Sequence, residues 1–99
     1  MKKILLLCSA GMSTSLLVRK MLEDARKNNF DFHIEAKSMG EGKTELNNWD
    51  VILLGPQVSY ALSEIKGLTA KPVSVIPSNI YGLGKGDEAN LLVKKMIGE

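Results

Sequence analysis

The sequence predicts an α/β fold: one four-stranded parallel sheet in the order 2-1-3-4, with helices on both faces. Three observations predict it. Short apolar runs alternate with amphipathic segments along the whole chain, which is the pattern of βαβ units. Two of those runs, Ile4–Leu7 and Val51–Leu54, are unbroken in apolarity and so suit strands buried on both faces. A third segment, Phe30-Asp31-Phe32-His33-Ile34-Glu35-Ala36, alternates strictly between apolar and polar, as an edge strand with one wet face does.

The elements follow in order. After Ile4–Leu7 the chain breaks into the small-residue turn Ser9-Ala10-Gly11-Met12-Ser13-Thr14-Ser15. From about Ser13 to Asn28, Leu17, Met21 and Ala25 recur at four-residue steps, flanked by Leu16 and Val18, with Arg19, Lys20, Glu23, Arg26 and Lys27 mostly on the other side. That is a helix, with Asn28-Asn29 as its stop. The edge strand comes next, then a polar stretch from Lys37 to Trp49 with a short helix over Glu41–Asn47. Val51–Leu54 ends at Gly55-Pro56-Gln57 and leads to a helix over Val58–Leu68 with Ala61, Ile65 and Leu68 inward and Gly67 near its end. Pro72–Ile76 is the fourth strand, its proline fitting only the first position. After the Pro77-Ser78-Asn79 turn and Gly82-Leu83-Gly84, a last helix over Asp87–Ile97 buries Leu91, Leu92 and Met96. Right-handed crossovers to an edge on one side, then to two strands on the other, give the order 2-1-3-4. The chain reverses direction across the sheet between strands one and three, and ligands of such sheets bind outside the strand carboxyl ends at that point. Cys8 and Gly55 both fall there.

With 99 residues, the chain is expected to be one domain, residues 1–99, burying roughly 60–70% of its unfolded surface. A 44% hydrophobic and 24% charged composition is that of an ordinary globular protein. The net charge of +2, with basic residues scattered among acids, is no footprint for nucleic acid. One cysteine excludes an internal disulfide, and Cys and His are too few for a structural zinc site. No cofactor is implied. Lys2-Lys3 with the short apolar run after it does not make a secretory signal, and Leu7 is too bulky for a lipoprotein cleavage site. No apolar stretch approaches the ~18 residues of a membrane span. A cytoplasmic protein is expected, without direct insertion into a membrane.

Cys8 is the candidate nucleophile. A strand that turns into a helix through small residues leaves several backbone N–H groups pointing at one spot, where a phosphate group sits on the helix N-terminus. The partial positive charge of that helix end favours a thiolate. The candidate phosphate-binding residues are Ser9, Ala10, Gly11, Met12, Ser13, Thr14 and Ser15, with Ser13 or Thr14 also capping the helix. No metal ligand set is seen.

This stretch resembles the phosphate loop of low-molecular-weight protein tyrosine phosphatases, but Thr14 stands where those enzymes carry arginine. Without a guanidinium to stabilise the charge of a phosphoryl transition state, the loop is suited to hold a phosphocysteine rather than hydrolyse it. Cys8-Ser9-Ala10-Gly11-Met12-Ser13-Thr14-Ser15-Leu16-Leu17-Val18 is similar to the start of the enzyme IIB components of the bacterial sugar phosphotransferase system, in the lactose/cellobiose class. The resemblance runs on through Val51-Ile52-Leu53-Leu54-Gly55-Pro56-Gln57 and from Val75-Ile76 to Tyr81-Gly82. It implies that Cys8 accepts a phosphoryl group from a phosphohistidine of enzyme IIA. It also implies that Cys8 passes the group to a sugar of cellobiose, lactose or β-glucoside type bound by the membrane component, enzyme IIC. Many members of that family have an acidic residue where this chain has Pro77.

Two other readings stay open at this stage: a small cysteine phosphatase, and an anion-binding or redox-sensing module. Thr14 and the lack of an Asp general acid near Cys8 count against the first. His33 lies on the polar face of an edge strand and reads as a surface residue. Trp49 and Tyr60 read as packing residues. Met12, Pro56, Gln57, Ser78 and Tyr81 follow strand carboxyl ends and form a candidate rim for docking partners.

Overall fold

A computed structural model of the chain describes residues 1–9 and 14–98. The strands are β1 (Lys2–Cys8), β2 (Phe32–Ser38), β3 (Val51–Leu54) and β4 (Val73–Val75), and all pairings are parallel in the order β2-β1-β3-β4. The helices are α1 (Thr14–Lys27), α2 (Met39–Gly42), α3 (Leu62–Leu68), α4 (Ser78–Gly82) and α5 (Gly86–Met96), with 3-10 turns at Leu46–Asn48 and Pro56–Ala61.

β1 is the centre of the molecule. It pairs with β2 through Leu6↔Ala36 and with β3 through Leu6↔Leu53, and Ile4, Leu5, Leu6 and Leu7 are all buried. Ile4 and Leu6 face Leu17 and Met21 of α1 and Ala89 and Val93 of α5. Leu5 and Leu7 face the opposite layer, built from Trp49, Val58, Ala61 and Ile65. Two faces bury one four-residue run, and each of those side chains contributes roughly 1.5–3 kcal/mol by leaving water.

The boundaries differ from the sequence expectation where backbone capping intervenes. Phe30 was expected in the edge strand, but Asn29 takes a left-handed conformation (φ 60) and the Phe30 N–H donates to the Ala25 carbonyl at 2.8 Å. That closes the end of α1, so the strand starts two residues later. The helix expected over Glu41–Asn47 is two shorter pieces, α2 and the 3-10 turn at Leu46–Asn48. The helix expected from Val58 starts as a 3-10 segment at Pro56, in which Val58 and Ala61 turn inward and Tyr60 is left 81% exposed. Tyr60 is therefore not a packing residue. Leu68 is 52% exposed because α3 ends there and the chain leaves in extended conformation at Thr69. α4, not anticipated, buries Ile80 and Tyr81.

The largest correction concerns α5. Leu91, expected inward, is 63% exposed, while Leu92 and Met96 pack only partly against the core. The buried stripe is Gly86, Ala89, Asn90 and Val93, which recur at helical spacing. Small residues face α1 because the two helices approach to backbone contact: a Cβ on Gly86 would collide with the main chain of Lys20 and Met21. Asn90 fastens the crossing, its Nδ2 donating to the Met21 carbonyl at 2.8 Å and to Asp24 Oδ2 at 2.9 Å. Among the described residues no helix is long and apolar enough to cross a membrane.

Gly86→Ala should therefore cost about 1–3 kcal/mol, the usual penalty for overpacking. Gly67→Ala, whose added Cβ meets no atom within 4 Å, should be neutral or stabilising by up to about 1 kcal/mol. Urea unfolding of both variants checks the pair, and equal effects would disprove the close crossing.

Candidate functional site

The carboxyl ends of β1, β3 and β4 bring three segments of the chain to one end of the sheet. Cys8 is the last residue of β1, lies in register with Ser38, and is 2% exposed. Its thiol donates to the Lys37 carbonyl of β2 at 3.8 Å. The side chain shares the face of Ile4 and Leu6, which is the α1 side of the sheet, because successive strand residues alternate faces.

The next strand reaches the same level. The Gly55 N–H donates to the Leu7 carbonyl at 2.9 Å, extending the β1–β3 ladder by one residue. Gly55 is where the neighbouring segments converge. A Cβ placed there would lie 2.7 Å from Gln57 Oε1, 3.4 Å from the Tyr81 ring and 3.5 Å from the Leu7 carbonyl oxygen. On the far side the Ile76 N–H donates to the Leu54 carbonyl at 2.8 Å, and Pro77 then caps α4. α4 delivers Ser78 to the surface and folds Tyr81 inward, leaving it 8% exposed.

The expected phosphate-binding residues divide into three groups. Ser9 is an exposed bend residue directly after Cys8. Ala10, Gly11, Met12 and Ser13 lie outside the described residues. Thr14 opens α1, and Ser15 follows it on the exposed side. Of the expected rim, Pro56 is half-buried, Gln57 and Ser78 are exposed, and Tyr81 lines the interior behind them.

Sequence reasoning missed two contributors. The Lys37 carbonyl was not paired with the thiol, although Cys8 and the end of β2 follow from strand register once both strands are known. Gly55 was noted for its position but not for how closely Gln57, Tyr81 and the Leu7 carbonyl approach it. His33, read as a surface residue, is half-exposed and contacts Glu35 while its ring stacks on Trp49 at 5.9 Å. Trp49 is buried as expected, its Nε1 donating to Glu45 Oε1 at 3.0 Å and Lys3 Nζ lying 5.3 Å over its ring. Lys3 and Asp50 exchange hydrogen bonds at the opposite end of the sheet from Cys8.

The family model described as "PTS system, Lactose/Cellobiose specific IIB subunit" matches residues 3–90. The oligo-beta-mannoside-specific EIIB component of Bacillus subtilis is 41% identical over 92 residues, covering 90% of this chain and 89% of that protein. The galactose-specific EIIB component of Lactococcus lactis subsp. cremoris is also 41% identical, over 95 residues and 88% of each chain. Among solved structures, the lactose-specific IIB component domain of Streptococcus pneumoniae superposes with a TM-score of 0.86 over 96% of both chains, at 21% identity. That likeness carries the fold.

Gly55→Ala should leave stability within about 1 kcal/mol of the parent, because the nearest obstacle is the movable end of Gln57. NMR spectra should nevertheless shift at Gln57, Tyr81 and Cys8. Unshifted signals at all three would show that Gly55 is not the meeting point of these segments.

Proposed function

Because the chain belongs to the lactose/cellobiose-specific IIB family of the phosphotransferase system, we propose that it is a phosphoryl carrier whose carrier atom is Cys8 Sγ. The observation that carries this reading is the position of Cys8. It ends the central strand directly before the segment leading to α1, at the crevice between β1 and β3 where the sheet order reverses.

In the forward step the Cys8 thiolate attacks the phosphorus of a phosphohistidine on enzyme IIA. The S–P bond forms as the N–P bond breaks, and the imidazole leaves with the electron pair and takes up a proton. Backbone N–H groups of residues 9–13 and the N-terminus of α1 hold the phosphoryl oxygens, with Ser9, Ser13, Thr14 and Ser15 as hydroxyl donors. In the second step a sugar hydroxyl held by enzyme IIC attacks phosphorus, the S–P bond breaks, and the thiolate is regenerated while the hydroxyl proton passes to a base. Thr14 brings no guanidinium charge to the loop, which favours a phosphocysteine that waits for a sugar over one that hydrolyses.

Enzymes IIA and IIC must reach the same sulfur and therefore take turns. Met12, Pro56, Gln57 and Ser78 offer the shared outer rim, and Tyr81 supports it from beneath. The whole chain serves as one IIB domain at the cytoplasmic face of the membrane. The sugar is of the cellobiose, lactose or β-glucoside type, with its identity set by IIC. Relatives named for an oligo-β-mannoside and for galactose are equally similar to this chain, which supports that division of labour.

Cys8→Ser should abolish labelling by phosphorylated IIA while leaving the circular dichroism spectrum unchanged. A serine hydroxyl at this position lacks a base to activate it. Labelled Cys8→Ser protein would remove Cys8 as the carrier, and steady turnover of an aryl phosphate by the parent would favour a phosphatase instead.

A further inference from the structure

Asn90 is a polar side chain with no surface left to solvent. Its amide nitrogen commits both protons to α1, one to the Met21 carbonyl at 2.8 Å and one to Asp24 Oδ2 at 2.9 Å. The other oxygen of that carboxylate, Asp24 Oδ1, accepts from Asn28 Nδ2 at 2.9 Å, so Asp24 is held on both sides. With its two protons placed in this way, the amide turns its own oxygen to a buried spot where, among the described residues, no donor meets it. A buried acceptor left unpaired lowers stability, and an apolar side chain of similar size would avoid the loss. Adhesion between the two helices does not need the amide, since Leu17, Met21, Ala89 and Val93 already supply apolar contact. What Asn90 adds is direction.

Apolar contact resists the separation of two helices far more than a slide of one along the other, because it has no preferred angle. A hydrogen bond has a narrow range of length and angle. Met21 and Asp24 lie about one turn apart on α1, so bonds to both fix that helix along its axis and about it. Gly86 brings α5 against the main chain of Lys20 and Met21, at the same level of α1. A helix rises 1.5 Å per residue, which puts Thr14, the first residue of α1, about 10 Å from Met21 along one hydrogen-bonded rod. A displacement at Met21 is therefore a displacement of the backbone N–H groups that open α1. Cys8 does not follow it, being held by β1.

We propose that Asn90, supported by Asp24, is a positioning residue for phosphoryl transfer: it sets the axial position of α1, and with it the distance from the helix N-terminus to Cys8 Sγ. Asn90 touches neither the thiol nor the phosphoryl group and acts through α1. Its effect on rate rests on the carrier reading given above, whereas its effect on the placement of the helix rests on the geometry alone. A misplacement of about 1 Å caused far from the chemistry can cost about a hundredfold in rate, and a smaller slide correspondingly less.

In Asn90→Ala the maximal rate of labelling by phosphorylated IIA should fall about tenfold, while the IIA concentration giving half that rate stays that of the parent, because the docking rim is untouched. A merely structural role predicts something else. Lost stability reduces the fraction of protein that takes label and leaves the folded remainder reacting at the parent rate. Ile65→Val, in the opposite layer of the core, is the control for lost stability and should label at the parent rate. Asp24→Ala, at a half-exposed position, frees the amide without opening the crossing and should slow transfer by a smaller factor. In the NMR spectra of Asn90→Ala and Asp24→Ala, with no partner present, the amide signals of Thr14 and Ser15 should move. Parent-like maximal rates in both variants overturn the proposal, as does equal slowing in Ile65→Val or unmoved signals at Thr14 and Ser15. If the parent takes no label from phosphorylated IIA, the carrier reading falls, and the two amide signals alone decide whether Asn90 places α1. Should Asn90→Ala fail to fold, Asp24→Ala gives the same readings and decides in its place.

Discussion

Everything at the candidate site depends on the double burial of β1. A strand hydrogen-bonded on both sides and covered on both faces has no freedom to slide, since a slip of one residue would exchange Ile4 and Leu6 for Leu5 and Leu7 between two differently shaped layers. Cys8 inherits that rigidity. It is the last residue held by the ladder, and the segment that follows it begins from a fixed point and direction. Under the proposed carrier role such a mount matters, because reacting atoms misplaced by about 1 Å lose much of the advantage of proximity.

The helix after the loop is fixed with comparable strictness, by other means. α1 is held against the sheet by Leu17 and Met21 and from behind by α5, where Gly86 lets two backbones touch and Asn90 ties the carbonyl of Met21. Among the described residues the Asn90 Oδ1 atom has no hydrogen-bond partner, and the tie is made by the amide nitrogen. The last residue of β1 and the first turn of α1 are thus anchored by separate parts of the fold.

How much of this was legible in the sequence varies with the kind of signal. The strands and the edge position of β2 followed from periodicity, because unbroken and alternating apolar runs have few other solutions, and their order followed from the handedness of the crossovers. Cys8 stood out because it ends such a run before a small-residue turn. The face of α5 did not, since its large apolar residues do not mark the buried side, and the helix turns Gly86 and Ala89 toward α1 where the backbones approach. α4 was hidden for a related reason: its two buried residues, Ile80 and Tyr81, are too few to make a period. The thiol's contact with the Lys37 carbonyl depends on side-chain direction at a strand end, which hydropathy does not encode.

Trp49, the one tryptophan, sits in the layer under Leu5 and Leu7, sandwiched near Lys3 and His33 at the end of the sheet away from Cys8. Its indole is enclosed by the same packing that holds the central strands, and its N–H is engaged by Glu45. Nature has in effect placed a fluorophore at the foundation rather than at the workplace. Its emission therefore reports the integrity of the core at the end of the sheet away from Cys8. Unfolding of the core is thereby readable at the indole without an added label.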